Sequence, residues 1–233
     1  MIYSFSWNGT SCRNKGIVLR TAPEIVKPEE RVSHVVIPGR AGELTIAEGN
    51  DIYNSYIQTV TMIAEDPTKL AEAEKWLRGD GYITFSIQPT LKQRARVINA
   101  VNFTKLSHNL NKWSGDVQFY CDPLKQLITE SAIEVTSSGT TVNNPGDVVS
   151  RPKITITGSG TITLTAGGKT LTLVGVESGW IVDSDLQWVT DSNGTPKQGV
   201  YTGEFPVFNT GNNTMQFTGS VSKLTIEGRW RYL

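Results

Sequence analysis

Residues 31–56 read RVSHVVIPGRAGELTIAEGNDIYNSY, and the organisation of the chain turns on them. A β-branched run, Val35-Val36-Ile37, is broken by Pro38-Gly39 and followed by Arg40-Ala41-Gly42. Proline fixes φ and glycine admits φ > 0, so the pair marks a sharp turn or a loop tip. Apolar residues carried into a loop need a surface to bury against, either their own core or a neighbouring subunit. On pattern alone two readings stand. The stretch is a hairpin arm folded onto its own domain, or an arm that reaches a second copy.

Upstream, Tyr3, Phe5 and Trp7 alternate with Ile2, Ser4 and Ser6, which reads as a half-buried strand. Asn8-Gly9 closes it with a hairpin-type turn. A second strand is expected near 15–20, and Glu24-Ile25-Val26-Lys27, flanked by Pro23 and Pro28, reads as a short edge strand. Downstream, 53–64 (YNSYIQTVTMIA) has the composition of a strand. Asp66-Pro67 then supplies an N-cap and a first helical residue. Leu70, Ala73, Trp76 and Leu77 make one apolar stripe, and Gly79 is expected at C′. This one well-marked helix should pack across a sheet. Residues 82–87, 94–104 and 113–121 read as further strands.

Between 130 and 150 small polar residues and turn formers take over, which places a boundary between a first domain, 1–137, and a second, 138–233. From Arg151 onward short strands alternate with turns. Gly158-Ser159-Gly160 and Asn193-Gly194 read as hairpin turns. This spacing predicts a β-sandwich or jelly roll, and roughly 90 residues suffice for one small two-sheet core.

The 233 residues carry 22 Lys+Arg and 22 Asp+Glu, so the formal net charge is zero. No basic excess points to nucleic acid and no polybasic run to a membrane surface. MIYSFSWNGT has no basic and apolar leader pattern. No apolar run approaches the roughly 20 residues that span a bilayer. A soluble protein made in a cytoplasm, without membrane insertion, is expected. Cys12 and Cys121 are not a disulfide framework and should be buried small hydrophobes. Asn-X-Thr triplets at Asn8, Asn102, Asn193 and Asn212 carry no glycan meaning without a secretory route.

Constellations for chemistry are sparse. His34 and His108 lie in unrelated polar settings, and there is no G-x-S-x-G elbow. Asp183 and Asp185 form the best carboxylate pair, because period 2 puts them on one strand face. They supply too few oxygens for a metal. Gly158-Ser159-Gly160 lacks the third glycine and following helix of a dinucleotide loop. Trp180, Trp188 and Trp230 offer either a stacking platform for a sugar or ordinary packing. No catalytic residue, metal or cofactor is assigned.

Four blocks carry a family resemblance. Residues 36–44 (VIPGRAGEL) resemble the PGRxGxL segment near the start of siphophage distal tail proteins. Residues 76–85 (WLRGDGYITF) look like the helix end, glycine turn and strand of that family, and 119–123 (FYCDP) like the strand that closes its first domain. The fourth block is Asn144-Pro145-Gly146-Asp147, Arg151-Pro152-Lys153-Ile154, Asp183-Ser184, Gly203-Glu204-Phe205-Pro206 and Gly211-Asn212-Asn213, in that order. Together they cover nearly the whole chain.

The resemblance implies a mainly β protein. A ring-forming N-terminal domain, β-barrel or sandwich-like with one α-helix, would precede a C-terminal galectin-like β-sandwich. It implies a structural virion protein rather than an enzyme, made in the host cytoplasm and carried at the phage tail tip. Six copies would close a ring, open to stacking, that joins the tail tube protein to the tail-tip hub or tail-associated lysin protein. The second domain would hold receptor-binding components. The subunit-interface candidates are Val35, Val36, Ile37, Pro38, Gly39, Arg40 and Leu44. Asp183 would lie in a turn and cap it. No cofactor and no sequence-specific nucleic acid are implied. The second domain lacks room for an inserted sugar-binding module, which favours an adaptor. The alternative is a carbohydrate-binding protein that attaches to host-surface glycans through the C-terminal sandwich and its three tryptophans.

Overall fold

The computed structural model describes residues 3–233, so Ile2, at the start of the expected alternation, lies outside the described residues. The chain is mainly β, with one short α-helix among the described residues, and divides into two compact units. One runs to Ile128 and the other is Thr129–Tyr232. The short strand Ile133–Val135 pairs with Gly211–Glu227. The second unit therefore takes in residues upstream of 137, where the sequence reading drew its boundary.

The first unit is built on one curled antiparallel sheet. Its strands run, side by side, Thr10–Ser11, Phe5–Trp7, Asp80–Phe85, Leu91–Val97, Leu110–Leu127, Tyr56–Ala64 and Ile17–Leu19. Period-2 alternation sorts the side chains. Phe5, Trp7, Ile83, Ala95, Val117, Phe119, Val60 and Met62 face one core. Asn8 (φ 51°) and Gly9 (φ 77°) form the tight turn between the first two strands, both in the left-handed region that a two-residue hairpin loop requires. Asp66 caps a single 3-10 turn, Pro67–Lys69, by accepting from the Thr68 N–H at 3.0 Å. The helix Leu70–Trp76 follows and buries Ala73, and Leu77 behind it, in the same core. Leu77 is the C-cap, so Gly79 (φ 73°) lies two residues past it rather than at C′. The Trp76 ring stacks on Phe5 at 5.7 Å, and its Nε1 donates to the Trp7 carbonyl at 3.4 Å. Cys12 and Cys121 are buried and unbridged, and burial pushes the Cys121 thiol up to about 12.

Three expectations fail here for identifiable reasons. Residues 24–27 form no strand; Pro23 and Pro28 lack the N–H groups a ladder needs, and the first pairing downstream is a bridge between Glu30 and Tyr53. The expected strand 94–104 starts earlier and stops at Val97, and Thr104–Ser107 is a separate strand. Asp122-Pro123 does not end its strand. The strand passes through an irregularity between Cys121 and Lys125 and continues to Leu127, which is how a sheet tolerates a proline.

The second unit is a β-sandwich organised by two long strands, Lys153–Ala166 and Gly211–Glu227, paired along their length. Here Gly158-Ser159-Gly160 corrects the sequence reading, because it is not a hairpin turn. The strand continues through it with register shifts on either side, between Thr157 and Gly158 and between Ser159 and Thr163. A Cβ on Gly158 would lie 2.4 Å from the Ser220 carbonyl oxygen, so only glycine lets the two backbones come this close. The bend gives the two halves different neighbours. Lys153 to Ile156 pair with Trp180–Asp183, while the far half pairs with Lys169–Val176. Ile154, Ile156, Ile162 and Leu164 are all fully buried.

Phe119→Ala removes a ring that touches both Phe5 and Trp7 in the first core. It is expected to destabilise that unit by about 3–5 kcal/mol, read as a lower denaturant midpoint for the first unit's transition in a full-length chain.

A candidate assembly surface on the first unit

The segment 31–56 folds as a two-stranded ribbon, Val32–Val36 paired with Glu43–Ala47, in a sheet of its own. Its foot is tied to the unit by backbone bonds. Arg31 N donates to the Ile52 carbonyl at 2.8 Å and Asn54 N to that of Glu29 at 2.8 Å. Pro38-Gly39 forms the tip, with Gly39 at φ 80°.

The register sorts the ribbon into two faces. Val35 lies opposite Leu44 and Ser33 opposite Ile46, so Val35, Leu44 and Ile46 share a face. The other face carries His34 opposite Thr45, joined at 3.2 Å, and Val36 opposite Glu43. The ribbon's own unit leaves much of this apolar surface open. Val36 is 70% exposed, Val35 43%, and Ile37 and Leu44 each 37%. Pro38, Gly39 and Arg40 are exposed as well. Of the two readings of this stretch, the folded-back arm is not what the chain adopts.

The structure adds residues that the sequence reading passed over. Ile46 and Ile52 are exposed beside the named candidates, and alternation within Glu43–Ala47 was the signal for Ile46. A second hairpin, Thr104–Ser107 against the start of Leu110–Leu127, exposes Leu106 and Leu110. Its His108-Asn109 turn contains no glycine or proline to announce it.

The other candidates separate. Trp180 (4% exposed) and Trp230 (5%) are packing residues, the first under the Lys197 ammonium and the second against Phe208. Trp188, at 44%, alone of the three offers a ring to solvent. Asp183 caps the turn after its strand, accepting from the N–H groups of Asp185 and Leu186 at 3.1 Å each. Its oxygens also take a two-pronged pair from Arg229, at 2.8 and 2.7 Å. Burial pushes its pKa up, but the guanidinium and the two N–H groups outweigh that and hold the carboxyl below the usual range. Among the described residues no three His, Cys, Asp or Glu side chains converge for a metal, and no helix is long and apolar enough to cross a membrane.

The class defined by these features is a two-unit β protein in which a helix-bearing sheet with a projecting apolar ribbon precedes a β-sandwich. No family model matches the chain, and no curated protein matches it. Among solved structures the fold is similar to that of the SPP1 Dit (gp 19.1) protein, described as a paradigm of the hub adsorption apparatus in phages that infect Gram-positive bacteria. The TM-score is 0.76 over 100% of each chain, at 18% identity. The chain thus has the fold of a phage hub protein along its whole length.

Two outcomes follow. Because much of the ribbon's apolar face is already in water, Val35→Asp with Leu44→Lys, which sets opposite charges across the pair, should move stability by less than about 1 kcal/mol, measured by thermal unfolding. Asp183→Asn should cost the second unit about 1–3 kcal/mol at neutral pH. The folded pKa of Asp183 is depressed, so its contribution is present above the unfolded value, about 3.9, and is lost as pH falls through the folded one. Wild type and Asp183→Asn should therefore converge in stability in strong acid, measured by denaturant titration at pH 7 and below pH 3.

Proposed function

We propose that this chain is a distal tail protein of a siphophage, a structural component of the tail tip with no catalytic role. In this reading six copies close a ring, and each ribbon of residues 32–47 is buried on the next copy. The observation that carries it is an apolar ribbon, much of which its own subunit leaves open, on a chain whose full length follows the fold of a phage hub protein. Covering such a ribbon is favourable, since full burial of one Val, Leu or Ile side chain contributes about 1.5–3 kcal/mol. A ring requires one patch to meet a different patch on the neighbour, and a projecting ribbon supplies one of the two.

The ring sits between the tail tube protein and the tail-tip hub or tail-associated lysin protein, and is open to stacking. The second unit, a galectin-like sandwich in this reading, faces outward and holds receptor-binding components. Zero net charge suits a collar through which DNA passes without sticking. The carbohydrate-binding alternative is left with Trp188 as its one open ring.

Light scattering on the concentrated full-length protein should find a species of six 25.6 kDa chains, or a stacked pair of such rings. Val35→Asp with Leu44→Lys should return it to monomer. A glycan array on which the wild type binds tightly and Trp188→Ala does not would favour the alternative.

A further inference from the structure

We draw no further inference here: the strongest candidate, the outward face of the first unit's sheet around the exposed Ile57, Tyr82 and Tyr120, is an unpartnered surface on which nothing in the structure shows what covers it.

Discussion

A β-strand has two sides, and in the first unit both are furnished with bulky side chains. The nine-rung pairing of Tyr56–Ala64 with Trp113 to Cys121 sends Val117 and Phe119 inward on every second residue, and Gln118 and Tyr120 outward. The inward set is the core that stacks Phe5, Trp7 and Trp76 and holds the helix against the sheet. The outward set has no cover of its own. Packing satisfies one side of the sheet within the unit and leaves Ile57, Tyr82 and Tyr120 exposed on the other. The ribbon repeats the arrangement on a smaller scale, with its foot bonded to the unit and much of its apolar face in water.

Such a surface is neither free nor ruinous. A handful of exposed aliphatic residues is tolerated by a folded monomer, and the association proposed for the ribbon rests on its exposed apolar residues being contiguous. On the outward side of the sheet Lys92, Arg94 and Arg96 stand among Ile57, Tyr82 and Tyr120, and Arg96 is paired with Asp80 at 3.0 Å.

Much of this was legible in the sequence, and the losses have physical causes. The aromatic alternation of Tyr3, Phe5 and Trp7, the Asn8-Gly9 turn and the Asp66-Pro67 helix start are local, and local chemistry decides them. The strand at 24–27 was misread because composition outweighed the two flanking prolines. Gly158-Ser159-Gly160 was misread because a glycine pair signals departure from a straight strand without saying whether the chain reverses or bends; the partner strand, some sixty residues later, decides that. The ribbon was found from its proline-glycine tip. The exposed side of the first sheet was not, because Ile57, Tyr82 and Tyr120 come to it from three different strands. The aromatic triplet in the second unit looked equivalent in sequence, and burial separated it into two packing residues and one exposed ring.

The long bent pair of the second unit also has a consequence in time. The strand Gly211–Glu227 is the shared neighbour of Ile133–Val135, Thr140–Asn144 and Lys153–Ala166. During synthesis all three are made well before it, so each leaves the ribosome with an edge that stays open until the last large strand follows. The first unit has every strand of its core path in hand by Leu127 and can settle on its own schedule. The sandwich comes together in one late step, and the interval before it is when the nascent chain is most exposed to pairing with the wrong edge.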